Sequence, residues 1–326
     1  MMEETNLTPR TDLSELKESV DKVRAEVKKI IVGQENIIDM LLTAVLADGH
    51  VLIEGVPGIA KTLLAKIIAR TISADFSRIQ FTPDLMPSDI LGTSVFNMKS
   101  SEFEFNRGPI FSNIILIDEI NRSPAKTQSA LFEAMEERQV TVDGNTYKMD
   151  SPFTVFATQN PIEHEGTYKL PEAQLDRFIF KVEMDYPLPE QEVKILLDLH
   201  SRKNVNDLKL IQPVFTKERL RHLREQVRSA HLDEKVAGYI TQIVNKTRNN
   251  SDLYLGGSPR ASISIMIGAK ALAAMNGRDF VTPDDVHLVV YPALRHRIIL
   301  TPEKEMEGRT ADEIIKSIIE KVEVPR

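Results

Sequence analysis

Apolar residues recur at Leu13, Leu16, Val20, Val23, Val27 and Ile30, three or four positions apart. That spacing lines one face of a helix, so the segment reads as an amphipathic helix lying on a neighbouring domain, with Asp12 and Glu15 as its capping box. From about residue 50 the pattern changes. Short apolar runs at 51–54, 77–81, 114–117, 153–157 and 178–182 read as five strands separated by helical stretches. The run 114–117 is apolar without alternation, as expected of a strand buried on both faces in a parallel sheet. Tyr186-Pro187-Leu188-Pro189 interrupts regular structure, because proline lacks an N–H and restricts the residue before it. Beyond it the periodicity is helical. Thr216, Asp233, Ser258 and Thr282 are the expected helix starts, the last two followed by Pro259 and Pro283 at the favoured first position. Val236, Ile240 and Ile243 form one apolar stripe, Met266, Ala269 and Ala273 another, and 312–324 reads as a last helix.

These elements predict an α/β fold followed by a helical one. The first part is a sandwich around a parallel five-stranded sheet, with ligands at the carboxyl ends of the strands, over residues 13–187. The second is a small all-helical lid domain over 188–326, and residues 1–12 are expected to be a flexible N-terminus. A chain of 326 residues accommodates both, at roughly 100–200 residues per domain. Its 42% hydrophobic and 27% charged residues exclude a disordered chain, and no apolar run of about 18 residues occurs to span a membrane. The opening MMEETNLTPR has no apolar core of signal-peptide type, so the expected location is cytoplasmic. The absence of cysteine excludes disulfides, thiolate metal sites and cysteine nucleophiles. With 41 Lys and Arg against 48 Asp and Glu, the charge of −7 argues against a surface that clings to nucleic acid throughout.

The chemistry concentrates first at GVPGIAKT, residues 55–62, where an apolar strand runs into a glycine-bearing loop and Lys61-Thr62 opens a helix. Polyphosphate needs that arrangement: loop and helix N–H groups wrap the anion, a lysine neutralises the outer phosphates, and a hydroxyl holds Mg²⁺. Gly55, Val56, Pro57, Gly58, Ile59, Ala60, Lys61, Thr62 and Leu63 are therefore the expected ATP-binding residues. Ala60 departs from the strict P-loop pattern, which has glycine there. The second concentration is Asp118-Glu119 at the end of the buried strand. One carboxylate there can hold Mg²⁺, and the other can polarise the water that attacks the γ-phosphate.

Together with these two motifs, the stretches IDEINRSPAKTQSALFEAMEERQVTVDG (117–144), ATQNP (157–161), LPEAQLDRF (170–178) and GSPRA (257–261) resemble the MoxR branch of the AAA+ ATPases over nearly the whole chain. That family commonly has alanine at the position of Ala60. The resemblance implies a P-loop AAA+ sandwich with its helical lid, and an ATP-hydrolysing motor with ATP and Mg²⁺ as cofactors. It implies that Lys61 pairs with the β/γ-phosphates, that Thr62 and Asp118 hold Mg²⁺, and that Glu119 is the general base. Asn160 is similar to the sensor 1 residue, Arg177 to an arginine finger acting on a neighbouring subunit's ATP, and Arg260 to sensor 2. Val32 and Gly33 would lie by the adenine. ATP is then expected between the sheet domain and the lid, in a ring of six copies. Its partners would be proteins to be remodelled or matured, often with a von Willebrand factor A domain.

Two insertions bear on the substrate, one from about Pro87 to Ser112 between the second and third strands and one over 138–150. In the family they correspond to an insert in helix 2 and a hairpin facing the ring's pore. Residues 94–107 carry Lys99 and Arg107 against Glu102 and Glu104, and residues 138–150 carry Arg138 and Lys148 against Asp143 and Asp150. Both are neutral, whereas a track along phosphates would be basic. Phe103 and Phe105 alternate with acids, which suits a protein contact. The alternatives left open are a nucleotide-dependent binding switch with little turnover, and a helicase or metal-chelatase type of motor subunit. His164, between Glu163 and Glu165, lacks a metal-ligand spacing and reads as a loop residue; His222, His231, His287 and His296 suggest no site.

Overall fold

The computed structural model describes residues 11–56, 58–160, 168, 170–203 and 208–325. Its centre is a five-stranded parallel sheet of β1 (Val51–Gly55), β2 (Phe76–Gln80), β3 (Ile114–Asp118), β4 (Thr154–Gln159) and β5 (Phe180–Met184). The spatial order is β2-β3-β4-β1-β5. The five expected strands are all present, within two residues of the expected starts. β4 and β5 flank β1, and every residue of β3 is buried, as its unbroken apolar run requires.

The longer helices are α1 (Ser14–Lys28), α2 (Glu35–Leu46), α3 (Lys61–Thr71), α4 (Ala125–Glu137), α5 (Pro189–Arg202), α6 (Lys217–Ser229), α7 (Glu234–Arg248), α8 (Pro259–Met275), α9 (Pro283–Leu294) and α10 (Ala311–Ile319). Leu16, Val20, Val23 and Val27 bury the expected face of α1 against α3 and α8. Its start differs from the expected capping box: the helix begins at Ser14, with Leu13 at the N-cap, and Asp12 accepts the Ser14 N–H at 2.9 Å. Thr216, Asp233, Ser258 and Thr282 all stand at N-cap positions, and the first three accept a backbone N–H through their side chains.

The alternation of strand side chains divides the core in two. Leu52, Ile115, Ile117, Val155 and Ala157 face α4 and the insertions. Val51, Ile53, Leu116, Phe156 and Phe180 face the other way, into one continuous core shared with α1, α2, α3 and the helices from α6 onward. Gly268 of α8 lies so close to Phe180 that a Cβ there would be 2.6 Å from the ring. The helical part is thus packed on the sheet's flank. Within it, Leu253–Leu255 and Ile299–Leu300 form a short antiparallel ribbon, an addition to the expected helices.

The insertions are two hairpins. Gly92–Asn97 pairs with Glu102–Arg107, and Gln139–Val142 pairs with Asn145–Lys148 around the expected Asp143-Gly144 turn. Phe105 of the first stacks on Tyr147 of the second, with centroids 4.1 Å apart. Further out on the same face, Phe96 and Phe103 meet edge to face, and both are exposed, as is Met98 at the turn.

Candidate functional site

β1 delivers Gly55 to the carboxyl edge of the sheet beside β5. A Cβ on Gly55 would lie 2.6 Å from the Met184 carbonyl oxygen, so only glycine lets the two backbones approach there. Gly55→Ala is expected to cost about 2 kcal/mol by forcing the strands apart. Chemical denaturation measures this, and an unchanged midpoint would refute the close-approach argument. After the turn, Gly58 has φ +89° and Ala60 φ +64°, both in the left-handed region. Ala60 therefore takes the backbone conformation that glycine supplies without strain, which explains how the loop keeps its course despite the methyl. Pro57 and His164 lie outside the described residues.

Gly58, Ile59, Ala60, Lys61, Thr62 and Leu63 line one wall of a cavity of about 700 Å³. Val32, with Ile30 and Ile31, lines it from before α2, and Gly33 beside them has φ +71°. Met184, Tyr186 and Pro187 continue the wall into α5, where Ile195, Leu196, Leu199 and Arg202 close it. This shape, apolar at one end and loop N–H groups at the other, suits a nucleotide. Among the described residues none beyond Arg202 lines it, so α5 is the part of the helical region that covers the cavity. None of the residues of α5 is buried, and Val193, Leu196 and Leu197 are exposed.

Lys61 Nζ donates to the Gly55 carbonyl at 2.6 Å. Burial lowers its pKa from the ordinary lysine value, against the opposing pull of Asp118, Glu119 and Glu54. The lysine on the cavity wall thus feels both carboxylates at the end of β3. Asp118 is buried; its Oδ2 accepts from Arg78 Nε at 2.5 Å and its Oδ1 from Thr158 Oγ1 at 3.3 Å. Glu119 has φ +58°, and its N–H donates to the same threonine oxygen at 3.0 Å. Its carboxylate accepts from Arg122 Nη1 at 2.7 Å and from Gln80 Nε2 at 3.1 Å. Sequence reasoning missed Arg78, Gln80, Arg122 and Thr158. The parallel register that sets Gln80 beside Asp118 is the signal that would have found the first two.

Thr62 and Asp118 offer hydroxyl and carboxylate oxygens, the hard donors that Mg²⁺ takes. Among the described residues no group of three His, Cys, Asp or Glu could hold a metal by itself. Mg²⁺ fits this donor set only with water and phosphate oxygens completing its shell.

Asn160 directly follows β4, between β3 and β1 in the sheet. Arg177 and Arg260 are elsewhere. Neither lines the cavity, and both meet Glu136 at the end of α4: Arg177 Nε lies 3.6 Å from one carboxylate oxygen and Arg260 Nη2 3.1 Å from the other. The segments carrying them are tied together. Asp176 accepts from Arg297 Nε at 2.6 Å and from Ser258 Oγ, the N-cap of α8, at 3.0 Å. Of the histidines, His296 is buried with Nε2 2.9 Å from the Phe178 carbonyl, and burial holds it neutral; His222, His231 and His287 are exposed.

Residues 50–180 match the ATPase family associated with various cellular activities (AAA), and residues 245–318 match its lid domain. The chain is 47% identical over 304 residues to the protein YeaC of Bacillus subtilis, covering 93% of this chain and 94% of that one. It is 43% identical over 317 residues to chaperone MoxR1 of Mycobacterium tuberculosis, covering 94% and 83% of the two. A crystal structure from Cytophaga hutchinsonii superposes with a TM-score of 0.88 at 43% identity, over 96% of this chain and 97% of that one.

Proposed function

Because the chain belongs to the MoxR family of AAA+ ATPases, we propose that it hydrolyses ATP with Mg²⁺, assembles into a ring of six copies, and uses the cycle to remodel partner proteins. The observation that carries the catalytic reading is Lys61 on the wall of the cavity that the phosphate loop lines, near enough to feel the charges of Asp118 and Glu119, which themselves stand off that wall at the end of β3. The loop N–H groups would hold the phosphates, and Lys61 would exchange the Gly55 carbonyl for the β/γ-phosphates. Thr62 and Asp118 would hold Mg²⁺, which neutralises charge on the phosphates; Asp118 would give up its bond from Arg78 to do so. Glu119 would take the proton of the attacking water once released from Arg122, with Asn160 orienting that water.

Arg177 and Arg260 lie off their own cavity and on one shared carboxylate, which supports their acting on a neighbour's ATP. Hydrolysis then requires assembly. Lys61→Ala and Arg177→Ala chains should each be inactive alone, and mixing them should restore turnover, because the first still donates its arginines to ATP held by the second. Full activity of Arg177→Ala alone would sink this assignment.

Protein substrates are supported by the neutral first hairpin, with Phe96, Met98 and Phe103 exposed beyond the aromatic stack on Tyr147. Von Willebrand factor A domain proteins are the partners the family resemblance favours. A pull-down with Glu119→Gln in ATP tests this; stimulation of hydrolysis by single-stranded DNA would instead favour a nucleic-acid motor. We place the division of domains near residue 187, in the extended 185–188 stretch between β5 and α5, and the activity in the cytoplasm.

A further inference from the structure

Arg177 precedes β5 and Arg260 lies in the first turn of α8, 83 residues later in the chain. Two cations from separate parts of the fold do not gather without an anion between them, since like charges repel and each loses water on approach. Glu136 supplies it, in the last turn of α4, with one carboxylate oxygen toward each guanidinium.

We propose that Glu136 is a positioning residue, which holds Arg177 and Arg260 as one two-headed clamp for the ATP bound by the neighbouring copy. The inference rests on the reading that these arginines act between subunits. Three features make the clamp preformed yet transferable. The segments that bear the arginines are fixed to each other through Asp176, which both Arg297 and the Ser258 cap hold. Arg177 is further placed with its guanidinium 5.9 Å from the centroid of the Phe132 ring, on the same helix as Glu136. Its Nε is buried and has no hydrogen-bond partner among the described residues, so charge attraction at 3.6 Å holds it without a committed bond. A phosphate oxygen approaching from a neighbour can take over both guanidinium groups without first breaking a bidentate pair. One negative charge against two positive ones leaves the cluster a net attraction for that anion. The same α4 terminus continues into Arg138, which donates to Asp48 at 2.9 Å, so the clamp stands at the root of the second hairpin.

Placement of Glu136→Gln in mixed assemblies separates positioning from general structural damage. In the mixture of Lys61→Ala and Arg177→Ala chains, the Lys61→Ala chain is the arginine donor and the Arg177→Ala chain the ATP holder. Glu136→Gln added to the donor should lower the restored kcat about tenfold, as misplaced groups do, with little change in KM. The same change added to the holder should leave the restored rate intact, and Glu136→Asp in the donor should recover part of the loss. Thermal unfolding of each variant should match its parent, because Glu136 is exposed. An equal loss in both placements, a loss only in the holder, or no loss at all overturns the proposal. If the parent mixture itself fails to restore turnover, the reading of arginines acting between subunits falls, and the clamp with it.

Discussion

Glu119→Gln should abolish nearly all ATP turnover while leaving ATP bound as tightly as in the parent. Glutamine keeps the shape of the side chain and can still meet Gln80 and Arg122, but it cannot take a proton from water. Removal of a general base costs typically about 10³-fold in rate. The loop that would hold the phosphates is a separate element, running from β1 into α3, so affinity should not follow the rate. Single-turnover hydrolysis and equilibrium binding of ATP, measured on one preparation, distinguish the two quantities. Turnover within about tenfold of the parent would remove Glu119 from the catalytic assignment and favour a binding switch.

The largest effect on stability is expected from Arg297→Met. Arg297 is buried where the helical part meets the segment before β5. Its guanidinium reaches Asp176 Oδ1 at 2.6 Å and the carbonyls of Asp176, Phe178, Ile179 and Ala293 between 2.6 and 3.2 Å. Burial lowers its pKa from the ordinary arginine value, and Asp176 opposes that shift. Methionine approximates the volume and deletes every one of these donors, leaving Asp176 with Ser258 Oγ and several carbonyls without their donor. Breaking a buried pair from one side costs about 3–5 kcal/mol, and the carbonyls keep the value in that range. Urea unfolding should show a lower midpoint at an unchanged slope. A loss under about 1 kcal/mol would mean that the joint between the helical part and the β5 segment does not depend on this arginine.

Local chemistry was legible. Thr216, Asp233, Ser258 and Thr282 declared four helix starts, because a cap answers N–H groups only two or three residues away. The run 114–117 announced a central strand because burial on both faces tolerates no polar alternation. The cap of α1 was misjudged by the same local logic: Asp12 and Glu15 fit the pattern, but buried Leu13 fixes where the chain docks, and the helix starts one residue later. Which helix of the 188–326 region covers the cavity was not legible, for a different reason. Apolar periodicity tells that a helix has a partner and not which one, and the helices from α6 onward satisfy theirs on the sheet's flank, leaving α5 over the nucleotide loop.

The sequence by itself therefore determined the strand–loop–helix that can bind polyphosphate, the paired acids at the end of a buried strand, and the caps and turns. Each is fixed by groups within a few residues of one another. Only the tertiary structure decided that Arg78 and Gln80 reach the acids, and that Arg177 and Arg260 converge on Glu136 away from their own cavity. Those meetings join residues about 40 to 124 positions apart in the chain. They follow from sheet order and from which apolar faces share a core, and both are settled by burial summed over the whole chain.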